Sequence, residues 1–244
     1  RTGTRVTGAE RDGGKGPITV ELDGSQRLET DELLVATGRR PNTADLGLDT
    51  VGLEPGGWLR VDDSGRVEGV EGGWLYAAGD VNGRALFTHQ GKYQARAAGA
   101  AIVARARGEL SDEVAPWSRC ASTADHRAVP SVVFTDPEVA SVGLSEARAR
   151  QEGFNVRPID YDLGSVAGAS LIADGYRGRA KLVIDEDRRV LLGATFVGRD
   201  VAELLHAATV AVVGEVPLER LWHAVPAYPT ISEVWLWMLT DYGL

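Results

Sequence analysis

The chain has one cysteine and one methionine in 244 residues, and each scarcity narrows what it can be. A lone Cys120 can form no disulfide within the chain and no multi-thiolate metal site. Structural zinc is therefore not expected, and a reducing, cytoplasmic compartment is. The only methionine is Met238, so the chain reads as a piece of something longer. No apolar run approaches the ~18 residues that a membrane span needs, and the opening "RTGTRVTGAE" has no signal-peptide core. Positive charge is short as well: 26 Lys and Arg against 35 Asp and Glu leave a formal net charge of −9. Nucleic acid and anionic bilayers both select a basic face, so neither is expected as a partner. Also missing is G-x-G-x-x-G, since "DGGKGP" has neither its spacing nor a following helix.

What is present is ordinary globular material, 43% hydrophobic and 25% charged, enough for one large domain or two small ones. Early β signals are "RVTGAERD", the alternating "ITVEL" at 18–22, and "ELLVATG", which is expected to be a buried strand ending on glycine. Residues 39–57 are irregular and rich in Pro, Gly, Asp and Asn, and read as a connector. "WLRVDDSGRV" then predicts a strand and turn, and "GWLYAAGD" a buried strand. "THQGKYQARAAGAAIVARARG" predicts a long alanine-rich helix stopped by Gly108. Residues 109–127 turn polar and read as a linker.

Beyond it, "PSVVFTDPEVASVGLS" predicts two short strands about an Asp-Pro turn, and "SEARARQEG" a helix with Ser145 at its N-cap and Gly153 past its end. "NVRPIDYDL" and "AKLVIDEDRRVLLGATFVG" predict three more strands. "DVAELLHAATVAVVG" predicts an amphipathic helix capped by Asp200 with Glu203 three residues on. Strands first and helices last is an α+β pattern, an antiparallel sheet with helices on one face.

The octet "YAAGDVNG" poses the sharpest question, because an acid closes an apolar run there. Gly79 allows something to approach the backbone closely, and Asp80 stands at the carboxyl end of the expected strand, where open α/β sheets bind ligands. Alternatively, Asp80 caps the next helix.

Taken in order, "LLVATGRRPN", "LYAAGDVNG" with "ALFTHQGKYQARAAG", "VPSVVFTDPEVASVGLSE" and "YPTISE" resemble motifs of the flavin- and nicotinamide-dependent disulfide oxidoreductases, the family of lipoamide dehydrogenase, glutathione reductase and mercuric reductase. The resemblance runs from about Leu33 to Glu233. It implies the end of an NAD(P)-binding domain at 1–42, the returning segment of an FAD-binding domain at 43–118, and an interface domain at 119–244. The first two are then incomplete α/β segments preceding an α+β dimerisation domain. It further implies FAD and NAD(P)H as cofactors. Asp80 would accept a hydrogen bond from the ribityl chain, and Gly79 would leave room for the flavin stem. Leu86, Phe87, Thr88 and His89 would lie at a helix N-terminus beneath the flavin's pyrimidine edge, where free amides and partial positive charge oppose growing negative charge. Gly38 would lie beside the nicotinamide. A plain surface or core role for His89, and a simple turn at Gly38, remain open.

At the C-terminal motif the sequence departs from the family. Lipoamide dehydrogenase and glutathione reductase carry a histidine before Pro-Thr, bonded to the glutamate of the motif, as acid/base for the dithiol. Here Tyr228 holds that position and Glu233 keeps the glutamate. A phenol is ordinarily protonated at neutral pH and is a poor base, though it can donate a hydrogen bond. His223 is a possible substitute, but Pro226 and Pro229 restrain the intervening chain. Glu233 also has a structural account, because "TISE" is a capping box for the helix "VWLWML". Cys120, with no base beside it in sequence, reads as a bystander thiol. The clustered Trp235, Leu236, Trp237 and Leu239 are core or interface, and the resemblance implies a symmetric homodimer. Two functions stay open: part of a flavoprotein that carries hydride from NAD(P)H to a disulfide, quinone or other acceptor, or a non-catalytic homodimerisation module that binds no cofactor alone.

Overall fold

The computed structural model describes residues 2–244 and divides into two units, one up to Arg40 and the other Pro41–Leu244. In the first, strands β1 (Val6–Arg11), β2 (Ile18–Leu22) and β3 (Arg27–Thr30) form an antiparallel meander. The period-2 alternation of β2 puts Ile18, Val20 and Leu22 on one face, where they bury together. The run at 33–38 is not the buried strand its composition predicts. It forms no ladder, and Leu34 and Val35 are 89% and 71% exposed. A strand needs neighbours for both its hydrogen bonds and its faces, and the meander ends at Thr30 without offering any to this run.

The second unit begins with loops. Asp62 closes a tight turn, its Oδ1 accepting from the Ser64 N–H at 2.9 Å, the Ser64 hydroxyl at 2.6 Å and the Arg66 N–H at 3.1 Å. Single bridges join Val61 to Val67 and Arg66 to Tyr76. "GWLYAAGD" therefore contributes one bridge and a buried Ala77, with Ala78 exposed, rather than a full buried strand. Helix α1 (Thr88–Ala106) comes next, and it buries Ala97, Ala98 and Ala101. Gly108, at φ +70°, ends it by donating its N–H to Arg105 O at 3.0 Å.

Residues 109–127 are irregular, as expected, but they are packed rather than a loose linker. Ser122, just before the short helix α2 (Ala124–Arg127), is buried and donates its N–H to Asp63 O at 2.7 Å. His126 Nε2 lies 2.8 Å from Asp63 Oδ1. These ties explain why no division falls between the loop region and the C-terminal sheet.

The remainder consists of β4 (Ser131–Val133), β5 (Glu138–Gly143), α3 (Glu146–Gln151), β6 (Val156–Asp162), α4 (Ala169–Ile172), β7 (Arg179–Asp185), β8 (Val190–Gly198), α5 (Leu205–Val213), α6 (Leu218–Leu221) and α7 (Val234–Tyr242), the strands and longer helices as the pattern predicts and short α4 and α6 in addition. The strands form one antiparallel sheet in the order β4-β5-β8-β7-β6. Leu182 and Ile184 of β7 and Phe196 of β8 share a core with Leu205 and Ala208 of α5 and with Trp235 and Met238 of α7. The two longer helices thus cover one face. Short α3 lies on the other, where Ala149 packs with Val183 and Leu192, and Lys181 Nζ donates to Glu146 Oε2 at 3.0 Å. Ser145 caps α3 as predicted, its hydroxyl accepting from Arg148 N–H at 3.3 Å.

Asp200 does not cap α5. Its φ of +58° is left-handed, whereas an N-cap side chain reaches the amides of the next turn from extended backbone. A 3₁₀ turn intervenes at Val201–Leu204, and Glu138 of β5 reaches across to accept the Ala202 N–H at 3.1 Å.

Candidate functional site

Gly79 has φ +85° and ψ −159°, a backbone that side chains disfavour. A Cβ on Gly91, in the first turn of α1, would lie 3.2 Å from the Gly79 Cα, so the two glycines permit the turn at 79–82 to press against the helix. Asp80 opens the 3₁₀ turn Asp80–Asn82 and is exposed. It does not cap α1, which starts eight residues later with Phe87 at an N-cap that has no side-chain hydrogen bond. The first amides of α1 therefore have neither an intrahelical partner nor a side-chain cap. Leu86 and Phe87 are half-buried beside this N-terminus, and Thr88 is exposed.

His89 is exposed and held in place. Its Nε2 lies 2.9 Å from Pro130 O, so it donates there, and its ring stacks on Phe87 with centroids 5.1 Å apart. That arrangement ties the start of α1 to the approach of β4. Gly38, in the other unit, has φ +125° and would meet nothing with an added Cβ.

Beneath the 79–82 turn runs a buried polar chain that the sequence pattern does not announce. Gln94 Oε1 accepts the Gly79 N–H at 2.7 Å and Asn82 Nδ2 at 2.8 Å. Gln94 Nε2 donates to Asp125 Oδ2 at 2.8 Å, and Gln90 Nε2 donates to Asp125 Oδ1, also at 2.8 Å. The Asp125 side chain is 0% exposed, with Arg84 Nη1 3.9 Å away. Burial pushes the Asp125 carboxyl above its ordinary value, although the bonds from Gln94 and Gln90 work the other way. Arg84 also lies 3.0 Å from Asp63. Burial alone would raise Asp63 too, but hydrogen bonds from His126 and Arg84, with their charges, hold its carboxyl below the usual range. The signal in the sequence was the Gln90–Gln94 pair, one helical turn apart on the alanine-lined face of α1, because buried amides require partners.

At the other end, Tyr228, His223 and Glu233 line one groove with Trp222, Val225 and Leu236. Tyr228 is 77% exposed, and His223 packs edge-on against Trp222 at 4.9 Å. The capping box is not formed: the Thr230 hydroxyl donates to Ala227 O at 2.6 Å, and its residue makes no side-chain cap. Glu233 instead turns inward, 8% exposed, and its Oε2 is buried without a hydrogen-bond partner. Leu86 and Phe87 line a different groove, with Arg84, Asp125, Arg127 and Arg148. Of the four apolar residues of the last helix, Trp235 and Leu239 are core, and Leu236 and Trp237 are exposed. Cys120 is a half-buried free thiol. Among the described residues no three His, Cys, Asp or Glu side chains converge as a metal site, and no helix is long and apolar enough to cross a membrane.

Two family profiles match. "Pyridine nucleotide-disulphide oxidoreductase" covers residues 1–106, and "Pyridine nucleotide-disulphide oxidoreductase, dimerisation domain" covers residues 129–239. The dihydrolipoyl dehydrogenase of Mycobacterium tuberculosis is 35% identical over 235 residues, 95% of this chain and 47% of the relative. The mercuric reductase of Staphylococcus aureus is 31% identical over 233 residues, 95% of this chain and 40% of the relative. Among solved structures, LpdA from M. tuberculosis superposes with a TM-score of 0.76 at 25% identity, over 99% of this chain and 49% of that one. The flavoprotein disulfide reductase RclA of Escherichia coli shares the fold, with a TM-score of 0.75 at 24% identity over 97% of this chain and 50% of that one. The chain thus spans about half the length of the relatives it matches.

Proposed function

The chain belongs to the pyridine nucleotide-disulphide oxidoreductase family, and from that premise we propose that it is the C-terminal part of a flavoprotein oxidoreductase working on NAD(P)H. FAD bound there would supply the hydride-accepting and electron-carrying chemistry between a reduced nicotinamide and an acceptor. The proposed parts are the end of the NAD(P) domain at 1–42, the returning FAD segment at 43–118 and the interface domain at 119–244.

The observation that carries this reading is the Gly79–Gly91 approach, which sets an exposed carboxylate beside an uncapped helix N-terminus. The residues suit a flavin in two ways. Asp80 can accept a hydrogen bond from a ribityl hydroxyl, and the Thr88 end of α1 offers amide donors and partial positive charge to the electron-rich edge of the ring. Leu86 and Phe87 exclude water from that edge. Gly38 gives a nicotinamide room to approach, and the bare run 33–38 would be flanked by strands from the part of the family fold outside these residues.

The exposed Tyr228 hydroxyl can donate a hydrogen bond to a bound acceptor, and the inward Glu233 side chain can accept one from a neighbour or from that acceptor. With a phenol in place of the family's histidine, the reading favours a quinone or another electron carrier over a simple dithiol or disulfide. The exposed Trp222, Val225, Leu236 and Trp237 suit the buried centre of a symmetric homodimer, and the free thiol of Cys120 suits a reducing, cytoplasmic setting. A bare homodimerisation module would leave the Gly79–Gly91 approach and the polar chain beneath it without a purpose.

The test is FAD affinity of the full-length polypeptide, with and without Asp80→Ala. Losing one charge-assisted hydrogen bond is expected to weaken binding about 10- to 100-fold. Unchanged affinity, or a parent that takes up no FAD, would overturn the proposal.

A further inference from the structure

Four hydrogen bonds tie both halves of the proposed flavin site to one residue outside it. Asp125 takes one bond from Gln90 and one from Gln94, the two glutamines of the first two turns of α1, and through Gln94 it reaches the Gly79 N–H and Asn82 Nδ2. Asn82 in turn accepts the Arg84 N–H at 3.0 Å, completing the loop that carries Asp80.

The orientation of an amide side chain is decided by its partners. A carboxylate has only acceptors to offer, so an ionised Asp125 requires both Gln90 and Gln94 to turn their NH₂ groups toward it. Gln94 must then aim its oxygen the other way, at the Gly79 N–H and Asn82 Nδ2, both of which are donors. Any group at 125 that presented a donor to Gln94 would favour the flipped amide, and two donors would face each other at Gly79. A mispaired, part-buried backbone N–H at that point is costly, and Gly79 adjoins Asp80.

Resting on the flavin reading above, we propose that Asp125 is a positioning residue of the cofactor site: its acceptor-only carboxylate sets the Gln94 amide, which fixes Gly79 and so the position of Asp80 against α1. Asp125 touches neither cofactor nor substrate in this scheme. It acts through Gln94.

The test separates hydrogen-bond polarity from bulk. In the full-length polypeptide, FAD affinity and the visible flavin spectrum are measured for the parent, Gln94→Glu, and the double variant Gln94→Glu with Asp125→Asn. The single variant keeps the shape of the side chain but sets a carboxylate against the Asp125 carboxylate. The double variant moves the carboxylate from position 125 to position 94, so that the asparagine can donate to position 94 and accept from Gln90, while the new glutamate accepts from Gly79 and Asn82. The proposal expects FAD binding to weaken at least ~10-fold in the single variant, with an altered flavin spectrum, and to return to within ~3-fold of the parent in the double variant. A merely structural acid would not be restored by moving its charge. If the single variant fails to fold but the double variant folds and binds FAD, the polarity argument stands. Parental affinity in the single variant, no recovery in the double, or loss of folding in both would overturn it. A parent that binds no FAD would overturn the flavin reading itself, and this inference with it.

Discussion

Two runs of nearly the same composition, "LLVATG" at 33–38 and "LLGATFVG" at 191–198, have opposite surroundings in this molecule. The second is most of β8, paired on one side with β5 and on the other with β7, and Leu191, Ala194 and Phe196 lie in the main core. The first pairs with nothing among the described residues and leaves Leu34 and Val35 in water. Branched and aromatic residues give a run the capacity to be a central strand, and neighbours on both edges turn that capacity into structure. The interface sheet supplies its own neighbours. The run at 33–38 would obtain them from elsewhere in the family fold.

The comparison can be broken most directly by cutting back each run in turn. Phe196→Ala is expected to cost about 3–5 kcal/mol in urea unfolding, through lost burial and a cavity beneath Trp235, whose ring meets Phe196 edge-on at 6.1 Å. Val35→Ala in a chain limited to these residues should change stability by no more than about 0.5 kcal/mol. In the full-length polypeptide the same change should cost about 1.5 kcal/mol, the value of two buried methylene-sized groups. Equal costs for Val35→Ala in both settings would remove the distinction.

A smaller effect sharpens the same lesson at a helix end. The Ala202 amide is satisfied by Glu138 from a neighbouring strand instead of by Asp200 beside it. Glu138→Ala is therefore expected to cost about 1 kcal/mol, and Asp200→Ala much less. The reverse ranking in thermal unfolding would restore the local cap.

The smallest effect concerns pH. Asp63 has its folded-state carboxyl held below the ordinary range, so its contribution is present above the unfolded-state value and is lost as pH falls through the folded-state one. Because Asp63 is partly exposed, Asp63→Asn should cost only about 0.5 kcal/mol at neutral pH. The gap between parent and variant should close on acidification. A gap that widened in acid would contradict the pairing with Arg84 and His126.

Much of this was legible in the sequence because the information was local. The alternation in "ITVEL", the charged turn of "VIDEDRRV", Ser145 ahead of α3 and Gly108 behind α1 each specify their element within a few residues. The failures share a cause. "ELLVATG" lacks the neighbours a strand needs, "DVAEL" is capped from β5, and in "TISE" the threonine hydroxyl bonds back to Ala227 while Glu233 turns inward. In each, a partner distant in sequence or a competing local bond decides the outcome. Asp125 was hidden the same way, in a polar stretch that looks like a linker until its carboxylate is seen between Gln90 and Gln94.

The central claim is that the turn at 79–82 and the start of α1 hold a flavin that NAD(P)H reduces. The most direct test is an anaerobic titration of the full-length polypeptide with NADH and with NADPH, followed through the visible absorbance of its flavin. The account predicts a yellow protein whose flavin band is lost on adding at least one of the two nucleotides. A protein that stays colourless after incubation with FAD, or a bound flavin that neither nucleotide bleaches, would contradict it.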